Sequence, residues 1–316
     1  MHQLRITFFG TPEFAEIILK HLLLEDAFTI TAVVCAPDKP IGRKQILTPP
    51  PVKILAEKNN ILVLQPEKLD NIFINKLKDL NSDLNVVTAY GKILPLAMLN
   101  IPKYKSINVH PSLLPKYRGA SPIQTAILNG DLETGVTIML MDEKMDHGKI
   151  VSSVKCQVSD IIKTHTLQNK LAEISAELLI KTVPDYISGK IKPVEQDHDQ
   201  ATFCKIIKKL DGEINWNKSA REIYNQYRAF SEWPGIFTEL KVNNEKLKIK
   251  FIEINLTDVT PSFSSEYKIG KLFTENKKLY INCADNSEYS GLEIKKLQPQ
   301  GKKIMDATSF INGYLK

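Results

Sequence analysis

The chain has 316 residues, 43% of them hydrophobic and 25% charged, with a formal net charge of +6. That length exceeds one typical core and predicts two domains. No run approaches the ~18 apolar residues of a membrane helix, and MHQLRITFFG begins as a strand rather than as a secretion signal, so a cytoplasmic protein without membrane insertion is expected.

In the first half, short apolar runs alternate with helical patterns, the mark of a Rossmann-like α/β fold: a mostly parallel sheet with helices on both faces. Predicted strands are Leu4 to Phe9, Thr29 to Cys35, Leu62 to Leu64, Asn85 to Ala89 and Ser106 to Val109, with helices starting near Pro12, Pro51 and the cap-like Asp70. The turn GTPEF carries only Gly10, whereas the dinucleotide fingerprint needs three glycines, so no nicotinamide cofactor is expected. The stretch APDKPIGRKQILTPPPVK, Ala36 to Lys53, reads as a long loop stiffened by five prolines around Arg43 and Lys44, which suits a nucleic-acid end.

After a short helix to Leu128, GVTIMLM and KIVSSVKCQV predict a hairpin across Asp146, and Thr166 to Ile187 has the spacing of an amphipathic helix. This gives a first domain of residues 1–189 and a linker, 190–205, where periodicity fails. From 206 to 316 a helix over Lys218 to Phe230 precedes GIFTEL, KLKIKFIEI, YKIGKLF, KLYINC and GLEIKKLQP, a series of short strands that predicts a small barrel or sandwich. Here 18 Lys and Arg stand against 14 Asp and Glu, a surplus that permits a polyanionic partner, with Lys208 and Lys209 among the candidates. The four cysteines, Cys35, Cys156, Cys204 and Cys283, lack CxxC spacing and read as small buried hydrophobes, so neither a metal site nor a disulfide framework is expected.

The chemistry concentrates in INVHPSLLPKYRGASPIQ and the downstream MDEKMDHG. Residues two apart on a strand share a face, so Asn108 and His110 project together, and Pro111 ends the ladder directly after them. An amide beside an imidazole suits a reaction in which a carbonyl oxygen becomes negative, with Asp146 orienting and charge-stabilising the histidine. Ser112 is the one nearby hydroxyl and lies beyond a proline, so direct transfer to an external amine is expected rather than a covalent route. The same residues also suit an ordinary hydrogen-bonded strand end and a turn. A pterin needs backbone polar groups at its edge and apolar side chains on its faces; AYGKILP and SLLP offer both through Ala89, Tyr90, Gly91, Ile93, Leu94, Ser112, Leu113, Leu114 and Pro115, although the aliphatic residues also suit an ordinary core.

The string INVHPSLLPKYRG with ETGVTIMLMDEKMDHGKI resembles the signature of the formyltetrahydrofolate-dependent formyltransferases. RITFFGTPEFA and DGEINWNKSAREIYNQYRAFSEWPG extend the resemblance to the members that formylate methionyl-tRNA, over nearly the whole chain. The resemblance implies Asn108, His110 and Asp146 as catalytic residues, 10-formyltetrahydrofolate as formyl donor, and initiator methionyl-tRNA as acceptor. It further implies an OB-like second domain and Arg43 at the tRNA end, with no metal and no protein partner. Two departures stand out. Pro111 replaces a small residue usual in the tRNA enzymes and resembles glycinamide ribonucleotide formyltransferase, the alternative; and Lys44 and Gln45 stand where Gly and Lys are usual. A non-catalytic RNA-binding protein on an enzyme fold is a further alternative.

Overall fold

The computed structural model describes residues 3–42, 44–242, 245–257, 269–284, 289 and 291–315. The chain packs as two units, the first of Met1–Pro122, Glu133–Val158 and Leu167–Lys205, the second of Ile123–Leu132, Ser159–Thr166 and Ile206–Lys316.

The first unit is built on β1 (Leu4–Phe9), α1 (Glu13–Leu22), β2 (Phe28–Val34), β3 (Lys39–Ile41), β4 (Ile46–Thr48), α2 (Pro51–Lys58), β5 (Val63–Leu64), α3 (Asn71–Asp79), β6 (Leu84–Val87), α4 (Leu96–Leu99), β7 (Ser106–His110) and β8 (Arg118–Gly119). The chain continues through α5 (Pro122–Asn129), β9 (Glu133–Leu140), β10 (Ile150–Gln157), α6 (Thr164–Ile187) and β11 (Phe203–Cys204). Seven strands form one sheet in the order β10-β9-β7-β6-β1-β2-β5, in which β9 pairs antiparallel with both β10 and β7 and the other neighbours are parallel. This is the Rossmann-like sheet expected. Its central strands read LRITFF and LNVV because parallel strands covered by helices are apolar on both faces. Phe9, Val34, Leu64, Phe73, Leu77, Val87, Tyr90, Leu94, Met98 and Leu99 belong to one buried cluster. Burying each such large side chain contributes about 1.5–3 kcal/mol.

Local chemistry sets several boundaries. Pro51 opens α2, and Asp70 caps α3 by accepting from the Phe73 amide at 3.1 Å. β6 stops at Val87 rather than Ala89, because Ala89 takes the left-handed conformation at φ 46°. The expected loop over Ala36–Lys53 instead contains a hairpin: β3 and β4 pair Lys39 with Thr48 and Ile41 with Ile46. Proline at position 40 does not prevent this, since a two-stranded ribbon leaves one edge free of ladder donors.

The expected linker, 190–205, belongs to the first unit. Val194 and Ile150 exchange backbone hydrogen bonds of 2.8 Å, and β11 pairs in parallel with β8. Single bridges and two-residue strands carry no periodicity, which is why the segment resembles a linker.

The second unit holds α7 (Ala220–Ala229), β12 (Ile236–Val242), β13 (Glu245–Thr257), β14 (Leu272–Glu275), β15 (Lys278–Asn282), β16 (Gly291–Pro299), β17 (Met305–Asp306) and α8 (Ala307–Tyr314). Its antiparallel sheet runs β12-β13-β16-β15-β14, with β17 on β16, the small barrel-type domain expected. Ile249, Phe251, Ile254, Leu279, Ile281, Leu292, Leu297 and Phe310 fill its core. Residues 123–132 and 159–166, expected in the first domain, pack here: Arg228 donates to the Ser159 and Ile162 carbonyls, and Thr164 to that of Ala229. α8 was not evident from periodicity; Asp306 caps it by accepting from the Ser309 amide at 2.7 Å. Of the expected strand YKIGKLF, Tyr267 and Lys268 lie outside the described residues, and β14 begins only at Leu272.

Candidate active site

β7 lies between β6 and β9, with Val87 beside Asn108 and His110 beside Thr137. The parallel strands end their carboxyl termini along one edge of the sheet, the edge at which such folds bind ligands. His110 is itself the last residue of β7 and is 4% exposed. Its Nε2 lies 2.9 Å from the Tyr117 carbonyl oxygen. A carbonyl only accepts, so Nε2 carries hydrogen and Nδ1 is the ring atom free to take a proton. Nδ1 faces Asp146 Oδ1 at 3.7 Å, an ion-pair distance rather than a hydrogen bond.

Asp146 occupies the left-handed region at φ 49°. Its Oδ1 also accepts from Asn108 Nδ2 at 3.2 Å, and its Oδ2 accepts from the Gly119 amide at 2.8 Å. Of the three residues singled out from sequence, Asn108 and His110 therefore converge on the carboxylate of the third, Asp146. The two ring nitrogens thus face different partners, Nε2 the Tyr117 carbonyl and Nδ1 the Asp146 carboxylate. Tyr117 and Gly119 act through backbone atoms, which no residue-type pattern announces, and both stand at positive φ, 60° and 117°.

Asn108 Nδ2 has two hydrogens, and Asp146 takes one. The second, with an Nδ1–H on protonated His110, forms a pair of donors suited to an oxygen that gains negative charge. Asp146 then lies beside the imidazolium and offsets its charge. Ser112 is buried, and its hydroxyl donates to the Lys116 carbonyl at 2.6 Å.

The residues assigned to a folate differ in exposure. Ala89, Gly91 and Ile93 are exposed just beyond β6, with Ala89 and Gly91 at positive φ, so this turn presents backbone and an apolar side chain together. That chemistry fits the edge and face of a pterin. Tyr90 and Leu94 instead point into the core: Leu94 is 3% exposed, and the Tyr90 ring packs edge-on against Phe9 at 5.5 Å. Burial pushes the Tyr90 hydroxyl up to about 12. Leu114 is buried with its amide donating to Thr137 Oγ1 at 3.1 Å, while Leu113 and Pro115 are half-buried.

Of the basic residues, Arg43 lies outside the described residues, and Lys44 is exposed at the tip of the β3–β4 hairpin, where Ile41, Ile46 and Leu47 are also exposed. In the second unit Lys208 and Lys209 are exposed. Cys35, Cys156 and Cys283 are buried as expected, whereas Cys204 is half-buried and accepts from the Ser121 amide at 3.3 Å. A Cβ on Gly119 would overlap the Cys204 carbonyl.

Residues 4–183 match the family described as formyl transferase, and residues 206–315 match the formyl transferase C-terminal domain. A protein of Caldicellulosiruptor saccharolyticus named methionyl-tRNA formyltransferase is 44% identical over 311 residues, covering 98% of this chain and 96% of the relative. One of Staphylococcus aureus with the same name is 40% identical over 98% of this chain and 96% of its own length. Among solved structures, an N-formyltransferase from Helicobacter canadensis, in complex with folinic acid and dTDP-3-aminofucose, superposes with a TM-score of 0.66 at 20% identity, covering 93% of this chain and 99% of that one. HypX from Aquifex aeolicus in complex with tetrahydrofolic acid gives 0.61 at 13% identity, over 100% of this chain and 48% of that one. These two establish likeness of fold. On the strength of the sequence matches, the chain belongs to the methionyl-tRNA formyltransferase family.

Proposed function

We propose that this protein transfers the formyl group of 10-formyltetrahydrofolate to the amino group of methionine on initiator methionyl-tRNA, for translation initiation in the cytoplasm. The observation that carries the reading is the convergence of Asn108 and His110 on Asp146 Oδ1. As the amine attacks the formyl carbon, Asn108 Nδ2 and His110 Nδ1 hold the carbonyl oxygen, which becomes negative. The folate supplies the activated formyl group. The attacking nitrogen must lose one proton and the departing folate nitrogen must gain one; Asp146 would carry it between them.

The exposed turn at Ala89, Gly91 and Ile93, with Leu113 and Pro115, would hold the pterin. Arg43, Lys44, Lys208 and Lys209 would meet tRNA phosphates. Among the described residues no helix is long and apolar enough to cross a membrane.

The test is formylation by the purified protein with 10-formyltetrahydrofolate and either initiator methionyl-tRNA or glycinamide ribonucleotide. Formylation of the tRNA is expected. Formylation of the ribonucleotide alone, or of neither, would overturn the reading.

A further inference from the structure

The loop that carries Asp146 is fastened by side chains from residues 195–198 that the reaction itself does not use. Gln196 is 4% exposed, and its carboxamide is fully engaged. Its Oε1 accepts from Arg118 Nε at 3.1 Å and Nη2 at 2.6 Å, while its Nε2 donates to the Asp146 carbonyl at 3.0 Å and the Gly148 carbonyl at 2.7 Å. A guanidinium only donates and carbonyls only accept, so the orientation of the amide is determined. Arg118, also 4% exposed, precedes Gly119, whose amide holds Asp146 Oδ2. A closed ring results: Asp146 carboxylate, Gly119 amide, Arg118 guanidinium, Gln196 carboxamide, Asp146 carbonyl.

The same guanidinium makes a second fastening. Arg118 Nη2 donates to His198 Nδ1 at 2.9 Å, the His198 ring stacks on His147 at 4.0 Å, and His147 donates to Asp142 at 2.7 Å. Asp142, Asp146, His147 and Gly148 are thus all gripped. An aspartate at positive φ keeps that conformation only where its surroundings over-determine it.

We infer that Gln196, held by Arg118, is a positioning residue for Asp146: it fixes the backbone on both sides of the carboxylate and so aims Oδ1 at Asn108 and His110. The kinetic side of this inference rests on the formyl transfer proposed above; the structural side does not.

The experiment compares Gln196→Glu and Gln196→Met in the full chain. Glutamate keeps an acceptor for Arg118 and removes both donors to the loop; methionine keeps the length and removes every hydrogen bond. Misplacement of a reacting group by about 1 Å can cost on the order of a hundredfold. Turnover on methionyl-tRNA should therefore fall between about tenfold and a hundredfold, with KM little changed. In an Asp146→Asn background the same substitutions should cost little more, because residues that act through one another are not additive. Hydrogen exchange at the Gly119 amide should accelerate in both variants, whatever the substrate. Unchanged exchange at Gly119 overturns the inference, as does an equal loss of turnover with Asp146 present and absent. A wild-type protein unable to formylate methionyl-tRNA would instead remove the functional reading, and the Gly119 exchange would still decide the positioning role.

Discussion

The two sides of the site are held by different means. Asn108 and His110 lie on a strand paired on both edges, so their backbones are fixed by a ladder that no single side chain controls. Asp146 sits on a loop in a left-handed conformation, a state that costs about 1–3 kcal/mol and must be offset by specific contacts. The loop's partners are individual groups rather than a ladder, among them the Gly119 amide, the buried Gln196 and the His198 ring stacked on His147. On the strand side, therefore, substitution changes chemistry and leaves geometry intact. On the loop side it changes geometry first.

The largest effects should follow from the strand side and from Asp146 itself. Oxyanion donors act mainly in the transition state, so Asn108→Ala and His110→Ala should each lower turnover on the order of a hundredfold or more, with folate affinity largely unchanged. Asp146→Asn keeps the shape but loses the charge beside His110, and should be severely impaired as well. Turnover and folate binding measured on the same preparations check this. Near-normal turnover in both strand variants would end the mechanism.

Gly119→Ala tests the loop side. A Cβ there would overlap the Cys204 carbonyl, and φ 117° disfavours any L side chain. The expected result is a loss of about 1–3 kcal/mol in urea unfolding together with reduced turnover, because the amide that holds Asp146 Oδ2 must move. Unchanged stability and turnover would show that the strand and loop sides are equally tolerant, and would remove the contrast.

Ile93 and Leu94 offer a sharper control, being neighbours with opposite surroundings: 76% and 3% exposed. Leu94→Ala should destabilise by about 2–5 kcal/mol, as large-to-small core changes do. Ile93→Ala should leave stability alone and weaken folate binding if the turn after β6 meets the pterin. Folate affinity unaffected by Ile93→Ala would place the pterin elsewhere.

This pair also illustrates what was legible in the sequence. AYGKILP announced a strand end with apolar residues, yet composition could not separate the leucine that fills the core from the isoleucine that faces out. Asn108 and His110 were legible as a pair because residues two apart on a strand share a face, whereas Asp146, 38 positions away, was joined to them by the family resemblance. Tyr117, Gly119 and Gln196 were not: the first two act through backbone atoms, and Gln196 reaches a residue 50 positions away from a stretch without periodicity. The β3–β4 hairpin was hidden for a related reason, since proline at position 40 argues against a strand unless the ribbon has a free edge.

The smallest effect is expected where charge alone acts. If Lys208 and Lys209 neutralise tRNA phosphates, a plot of log affinity against log salt should lose about 0.7 to 0.9 units of slope for each lysine replaced by alanine. They suit the test better than two other lysines of the same unit. Lys246 already pairs with Glu239 at 3.1 Å, and Lys248 lies 4.2 Å from the centre of the Phe237 ring, so replacing either changes more than a phosphate contact. Point variants are also cleaner than truncation near Lys205, which would strip residues 123–132 and 159–166 of the unit in which they pack. Folate affinity and turnover at saturating tRNA should hardly respond. An unchanged slope in Lys208→Ala, Lys209→Ala and the double variant would place the tRNA contact of the second unit on another face; a fall in turnover at saturating tRNA would mean that these lysines help to place the reacting end rather than only attract the polyanion.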